Sequence, residues 1–378
     1  MANTLTDLIP DLYAALDVVS RELVGMIPAV TMDARVNQAA QGQDVIVPIV
    51  PSSNSMVDIT PAMTIPAAAD QTIGNTKITI SKAKAVPFSW EGNEQVGLNS
   101  GAGYLPIRAN QMVQAMRTLT NEVESDLTGL YKSFSRATGT AGTVPFSTAG
   151  DFSDASQVLK ILKDNGAPVS DNHLVLGTGA GANFIGKQAQ AHMQGTDSIA
   201  RQGVLLTTAG LDLRESGQIV TPTAGALTTA KTNATGYAKG ATEFVTTSAA
   251  GLFAGDVIKF AGDTEQYVVA ADSTATAVKI NAPGLRKAIP ASATDITVVA
   301  TAARNLAFNR SAIVLATRMP ERPQEGDMAL DVMTITDPRS GLSFEVSMYP
   351  GYRKVRYEIA LAWGVKNIKP EHTAVLLG

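Results

Sequence analysis

The chain of 378 residues holds no cysteine. Disulfides, thiolate-bound metals and cysteine nucleophiles are therefore excluded together, and cytoplasmic synthesis is the better fit. Histidine is nearly as scarce: His173, His192 and His372 are scattered, with neither H-x-x-x-H nor H-E-x-x-H spacing for a metal. A G-x-S-x-G elbow for a serine nucleophile is missing too. Charged residues make up 17% of the chain, with a net charge of −4, against about 25% in an ordinary soluble domain. So sparse a charge, with many Ala, Thr and Gly, suits a surface covered by neighbours. It suits a simply alanine-rich protein as well. No apolar run reaches transmembrane length, and Met1-Ala2-Asn3-Thr4 does not open a signal peptide. Two or three soluble domains are expected. No stretch is basic enough for a nucleic-acid footprint; the nearest, Arg353-Lys354-Arg356, also reads as one solvated strand face.

What is present begins with an amphipathic helix. Pro10 suits its first turn, Leu12, Leu16, Val19 and Leu23 recur at helical spacing, and Pro28 ends it. Residues 1–60 carry seven acids and two bases, which makes this arm either a contact for a basic partner or an ordinary solvated face. A strand is expected from Asp44 to Val50 and another from Lys77 to Trp90. The 51–76 stretch between them, with Pro51, Pro61 and Pro66, has no period. A structureless connection of that length belongs in a compact domain only if it has its own task. A long two-stranded arm whose tip lies on another subunit resolves the difficulty.

The strongest helical signal runs from Pro106 to about Phe134. Met112, Met116, Leu119, Val123, Leu127, Leu130 and Phe134 form one stripe, leaving Arg108, Arg117, Glu122 and Lys132 for the other faces. At 1.5 Å per residue this is a strut of roughly 40 Å, closed off by Gly139 and Gly142. Its carboxylates Glu122 and Asp126 are expected on a solvated face. A shorter helix follows, with Ser153 or Asp154 as cap, Ala155, Val158, Leu159 and Leu162 as stripe, and Gly166 after its end. A strand at His173–Leu176, a glycine turn and a helix from about Ala182 to Met193 give 140–221 an α/β character.

From Pro222 to Ala302 short Val/Ile/Thr/Phe runs alternate with turn residues, the pattern of a small all-β unit, with six bases and six acids. The expected strands are Glu243–Thr246, Asp256–Phe260, Gln266–Ala270, Ala277–Ile280 and Asp295–Val299. Two alternating runs then follow, Leu342–Met348 and Val355–Val365, both expected as half-buried strands. A β unit interrupting α/β material reads as an insertion.

One stretch carries an enzyme hypothesis. Gly177, Gly179 and Ala182 satisfy G-x-G-x-x-G/A between a strand and a helix, where backbone N–H groups hold a pyrophosphate in dinucleotide folds. Gly181 to Gly186-Lys187 fits G-x-x-x-x-G-K, but Gln188 replaces the hydroxyl that would hold Mg²⁺. Asp197 has the offset of a ribose-binding acid but stands in a Gln/Gly/Thr/Ser stretch. The plainer account is a packing turn in which glycine supplies positive φ and close approach. No catalytic, cofactor-binding or metal-binding residue is assigned, and no cofactor is implied.

Several segments resemble the coat proteins of the short-tailed Salmonella phage group. They are Ala115-Met116-Arg117-Thr118-Leu119-Thr120-Asn121-Glu122-Val123-Glu124, Ile359-Ala360-Leu361-Ala362-Trp363-Gly364-Val365 with Pro370-Glu371 and Val375, Gly255-Asp256-Val257-Ile258-Lys259-Phe260-Ala261-Gly262, and Asp44–Val50 with Pro48. The matches are short, but they span most of the chain in the right order. The resemblance implies an α+β protein with the Hong Kong phage capsid fold plus an inserted small all-β barrel. Its parts would be an N-terminal arm (1–43), an extended two-stranded loop (44–92), a peripheral domain with the long spine helix (93–139), an axial domain (140–221), the inserted barrel (222–302), and axial and peripheral closing strands (303–378). It also implies a virion protein, made in the host bacterial cytoplasm and away from membranes. Such a protein assembles with itself into pentamers and hexamers of an icosahedral head, around a scaffolding protein and with a portal, and encloses double-stranded DNA by non-specific proximity. The alternative is a nucleotide-binding α/β enzyme using Gly177–Lys187.

Overall fold

The computed structural model describes residues 24–49, 61, 74–99, 104–148, 151–190, 205, 207–227, 230–247, 251–323, 326–338 and 340–378. The expected helix at 10–23, the tip of the 51–76 connection and Asp197 lie outside them. In chain order the first elements are β1 (Thr31–Ala39), β2 (Asp44–Ile49), β3 (Gly74–Thr79), β4 (Lys82–Glu91), α1 (Gly92–Asn99) and α2 (Tyr104–Thr128). There follow β5 (Arg136–Thr138), α3 (Ser153–Asp164), β6 (Asn172–Leu176), α4 (Thr178–Gln190) and β7 (Asp212–Glu215). Six short strands come next: β8 (Ala230–Lys231), β9 (Glu243–Val245), β10 (Val257–Phe260), β11 (Gln266–Val268), β12 (Ala277–Lys279) and β13 (Asp295–Val298). The chain ends with β14 (Arg304–Asn309), β15 (Ile313–Pro320), β16 (Asp331–Thr336), β17 (Ser343–Gly351), β18 (Lys354–Asn367) and β19 (Thr373–Leu377).

Two sheets organise these elements. One runs β1-β15-β18-β17-β16, with β4 also paired to β18. The other runs β7-β6-β14-β19-β5-β11-β10-β13-β8. The spine helix α2 lies on the first sheet because its apolar stripe matches the inward residues of β18. Met112, Met116, Leu119, Val123 and Leu127 share one core with Tyr357, Ile359, Leu361 and Trp363, and with Phe344 and Val346 of β17. At about 2 kcal/mol per fully buried large apolar side chain, that stripe alone is worth on the order of 10 kcal/mol before chain entropy. After Thr128 the helix tightens into a 3₁₀ turn, Gly129–Ser133, rather than continuing to Phe134.

Several expectations need correcting. The strand expected over Lys77–Trp90 is two, β3 and β4, broken at Ile80 and Ser81. β3 pairs with β2 as an antiparallel hairpin, whereas β4 turns away to pair along β18 from Lys354 to Trp363. Strands β1 and β5 and helix α1 had no sequence signal. β1 exists because it adds in parallel to β15, and β5 because it fills the gap between β19 and β11. Gly139 therefore follows a strand, not the spine helix. The α3 stripe is Ala155, Val158, Ile161 and Leu162, with Leu159 at its margin, and its N-cap is Phe152, not Ser153 or Asp154. The runs read as half-buried are covered on both faces in their middles, so Glu345, Ser347, Ala360 and Ala362 are buried. Arg108 is buried as well, and it donates to the Tyr357 hydroxyl at 3.2 Å instead of facing water.

The five strands expected within 222–302 are present as β9 to β13, each within two residues of its expected end. Backbone pairing passes from β13 to β8, through the Thr232–Thr246 bridge to β9, and on to β12. The Val269–Ile280 bridge then leads to β11, and β11 and β13 both pair with β10. The pairings thus return to the strand they start from. Phe244, Ile258, Phe260, Tyr267, Val278, Ile280, Leu285, Ile289 and Ile296 fill the interior. Val257 of β10 and Val268 of β11 face the other way and join the main core. β11 also pairs with β5, so this stretch continues the second sheet.

Gly364 is where the extended hairpin crosses the sheet. A Cβ there would lie 2.1 Å from the Thr79 carbonyl oxygen and 3.2 Å from the Ile80 Cα. Gly364→Ala should therefore cost about 1–3 kcal/mol in urea unfolding, the usual range for overpacking. A wild-type midpoint in that variant would show that Thr79 does not press on the strand.

Candidate functional site: the glycine turn and the anchored arms

The glycine turn does not have the geometry of a phosphate loop. Helix α4 starts at Thr178, four residues earlier than expected, so Gly179 and Gly181 lie inside it. The Gly181 N–H is already spent on the Gly177 carbonyl at 2.9 Å, and the Gly177 N–H donates to Asn305 Oδ1 at 2.7 Å. None of the three glycines has a positive φ, so that part of the packing account is also wrong. Close approach is the part that holds. A Cβ on Gly181 would sit 3.0 Å from the Glu215 carboxyl carbon. Burial pushes that carboxyl above its ordinary range. Lys187 is buried, donates to the Asp151 carbonyl at 2.5 Å and lies over the rings of Phe146 and Phe152. It is a packing residue, turned toward the loop before α3.

The polar groups that stand out instead tie sequence-distant segments together. Glu124, buried on α2, accepts hydrogen bonds from the backbone N–H groups of Gly25 (2.8 Å), Met26 (2.7 Å) and Ile27 (3.1 Å). It pins residues 25–27 to the long helix α2. Burial pushes its carboxyl above the ordinary range, against the pull of those N–H groups and of the Ser216 hydroxyl.

A second tie holds the base of the extended hairpin. Lys82 on β4 donates to Glu122 (2.9 Å) and Asp126 (2.7 Å), and Lys84 donates to Glu122 as well. The other oxygen of Asp126 accepts from the Trp363 indole at 2.8 Å. The Glu122/Asp126 pair expected to face solvent is thus the clamp between α2, β4 and β18. Lys84 and Lys82 hold Glu122 below the ordinary carboxylate range. Burial opposes the charge on Lys82, but Asp126 and Glu122 outweigh it and raise this lysine. Sequence patterning could not reveal either tie, because the partners are separated by 38 to 237 positions.

Beyond its base, the β2–β3 hairpin forms a two-stranded sheet of its own. Ile78 and Ile80 pack on Val314, Ala316 and Ala362, while Ile46 points outward at 59% exposure. A third joint lies at Arg136, which is fully buried. Its guanidinium donates to Glu265 at 2.8 Å and to Asn165 at 2.9 Å, linking β5, α3 and the approach to β11. These joints position arms and sheets and assemble no reacting group. Among the described residues there is no cluster of His, Asp and Glu able to hold a metal ion.

No family model matches the sequence, and no curated protein does. Solved structures do match. The capsid structure of cyanophage P-SCSP1u is 11% identical, with a TM-score of 0.50 over 94% of this chain and 88% of that one. The chain has the fold of a phage capsid subunit. A Mycobacterium phage Che8 structure (13% identical, TM-score 0.48, covering 89% of this chain and 84% of that one) and the capsid of Myoviridae phage XM1 (8%, 0.48, 94% and 92%) are also similar.

Two measurements probe the ties. Glu124→Ala leaves three N–H groups without their acceptor and should cost on the order of 3 kcal/mol, since each unsatisfied buried group costs about 1–3; a loss under about 1 kcal/mol would mean that water replaces the carboxylate. Glu122 has a lower pKa folded than unfolded, so its stabilisation is present above the ordinary carboxylate range and is lost as pH falls through the folded value. Urea midpoints of the wild type and Glu122→Gln should therefore differ at pH 7 and converge toward pH 3. A gap that stays constant with pH would show that the clamp is not ionic.

Proposed function

We propose that this chain is the major coat protein of a tailed bacteriophage, a shell subunit that catalyses nothing. The observation carrying this is the capsid-subunit fold, matched along nearly the whole chain. The anchored hairpin supports it, because among the described residues β2 and β3 form backbone ladders only with each other, as an arm that reaches toward a neighbouring subunit would. In this reading the chain forms pentamers and hexamers of an icosahedral head around a scaffolding protein, with a portal, and packages double-stranded DNA. The segments take the Hong Kong phage arrangement. Residues 1–43 are the N-terminal arm and 44–92 the extended loop. Residues 93–139 carry the spine helix of the peripheral domain, and 140–221 begin the axial domain. Residues 222–302 are an inserted barrel, and 303–378 close the axial and peripheral sheets. The ring of pairings from β8 to β13 and the separate apolar interior support the barrel assignment.

The nucleotide-binding alternative finds no support in the geometry, since its lysine faces away from the helix start and its glycines are inside the helix.

Full-length chain co-expressed with a scaffolding protein should form closed particles or capsomers, visible by negative-stain microscopy and light scattering. Obligate contacts of that kind bury on the order of 2,000 Å² or more. A monodisperse monomer or dimer under those conditions would sink the proposal.

A further inference from the structure

His173 is an ionisable side chain enclosed by the second sheet without a hydrogen bond. It stands on β6 with 4% of its surface exposed, and neither ring nitrogen has a hydrogen-bonding partner among the described residues. Its ring lies 6.3 Å from that of Phe308 on β14, centroid to centroid. It shares the face of β6 that Val175 buries in the main core. A neutral imidazole is tolerated there. A protonated one brings a charge and two N–H donors into the same apolar place, with no acceptor at hydrogen-bonding distance.

Charges surround the ring without pairing with it closely. Asp212 and Arg214 reach it from β7, Asp171 from the turn before β6, and Arg310 from the turn after β14. The Asp212 carboxylate stays 3.9 Å from Nδ1, too far for a hydrogen bond, and half of it is in water. Arg214 Nε is itself buried and without a partner. Burial, with Arg214 and then Arg310 adding to it, holds the imidazole below its ordinary value of 6.5, against the pull of Asp212 and Asp171. Further along β7, burial pushes Glu215 up, and it does the same to Glu124, which Ser216 touches. Those two carboxyls gain protons with less cost folded than unfolded, so acid strengthens the closed form through them. His173 works in the opposite sense.

We propose that His173 is an acid-sensitive latch for β7: the neutral ring lets the strand close on β6, and the protonated ring releases it. β7 is the end strand of the second sheet, and its ladder to β6 runs only from His173–Asp212 to Leu176–Glu215. An end strand held by so short a ladder opens before the strands inside the sheet do. Just beyond it, Ser216 donates its N–H to the Leu176 carbonyl at 2.9 Å, and Gln218 accepts from the Thr128 hydroxyl of α2 at 2.9 Å. Release of β7 therefore frees the start of the run that leads to the 222–302 strands. With its folded value lowered, His173 stabilises the closed strand fully above about 6.5, the unfolded value. That stabilisation is lost as pH falls through the folded value.

The latch needs no second copy, so it is tested on the full-length subunit whether or not the shell reading stands. Because the chain has no cysteine, one introduced thiol reports opening directly. Leu213→Cys places it on β7, where the side chain is buried, and Ile335→Cys places a buried control on β16 in the first sheet. Each is reacted with 4,4′-dithiodipyridine at pH 7.5 and pH 5, and its rate is divided by that of the same chain unfolded in urea at the same pH. The normalised rate at Leu213→Cys should rise about five-fold or more on acidification, while that at Ile335→Cys stays within about two-fold. In the Leu213→Cys background, His173→Gln or His173→Phe should remove the rise. His372, also lowered by burial, precedes β19 instead, and His372→Gln should leave the rise intact. Equal rises at the two thiols would mean that acid loosens the whole chain, and would overturn the latch. A flat response at Leu213→Cys overturns it too, as does a rise that survives the loss of His173. Independently of any variant's folding, carbon-13 histidine spectra of the wild-type chain should contain a resonance that titrates below 6.5 in step with the Leu213→Cys rate. If every histidine titrates at 6.5 or above, the latch does not exist.

Discussion

The contact between the spine helix and β18 is the constraint on which the rest depends. One apolar stripe on α2 and the inward side chains of β18 exclude water from each other over most of the length of both elements. Everything attached to that pair inherits its position. β4 and β17 pair with β18, β15 pairs with its second half, and β1 adds to β15. Such a long, stiff pair is a beam to which arms can be fixed at a distance from their own tips.

Charge is used sparingly and mostly indoors. Buried or half-buried ions recur where segments far apart in sequence meet: Glu124 at the arm, Asp126 and Lys82 at the hairpin, Arg136 at the second sheet. Arg318 with Asp33 joins β15 to β1 at 2.9 Å, and Arg322 with Glu345 ties the loop after β15 to β17 at 2.7 Å. A buried ion pair is a weak source of net stability, because desolvation offsets most of the attraction. Removing one partner is costly all the same, so these pairs enforce register more than they add stability. Low charge density therefore has an internal explanation besides a surface covered by neighbours: a sizeable part of the charge is committed to joints.

The second sheet passes without interruption from α/β material into the 222–302 strands through the β5–β11 pairing. The 222–302 stretch has an interior of its own, yet it shares two valines with the main core and hydrogen bonds with its neighbours. Asn281 donates to the carbonyls of Lys132 and Phe134 at the end of the spine helix. This stretch is thus tied to the turn after the helix by side-chain-to-main-chain hydrogen bonds as well as by the β5–β11 ladder.

The sequence by itself determined the elements whose signal is local. The α2 stripe, the alternation along β17 and β18 and the glycine-punctuated strands from β9 to β13 all follow from periodicity, because side-chain direction repeats every 3.6 or two residues. Tertiary structure alone decided the rest. β1 and β5 are strands only because a neighbouring edge supplies their hydrogen bonds. Residues Gly179 and Gly181 belong to a helix because Asn305 and Glu215 pack against its start. Arg108, Glu122 and Asp126 look like solvent-facing charges on a helix until β4 and β18 arrive to cover them. Pairings across tens to hundreds of residues leave no local period, so no pattern along the chain could announce them.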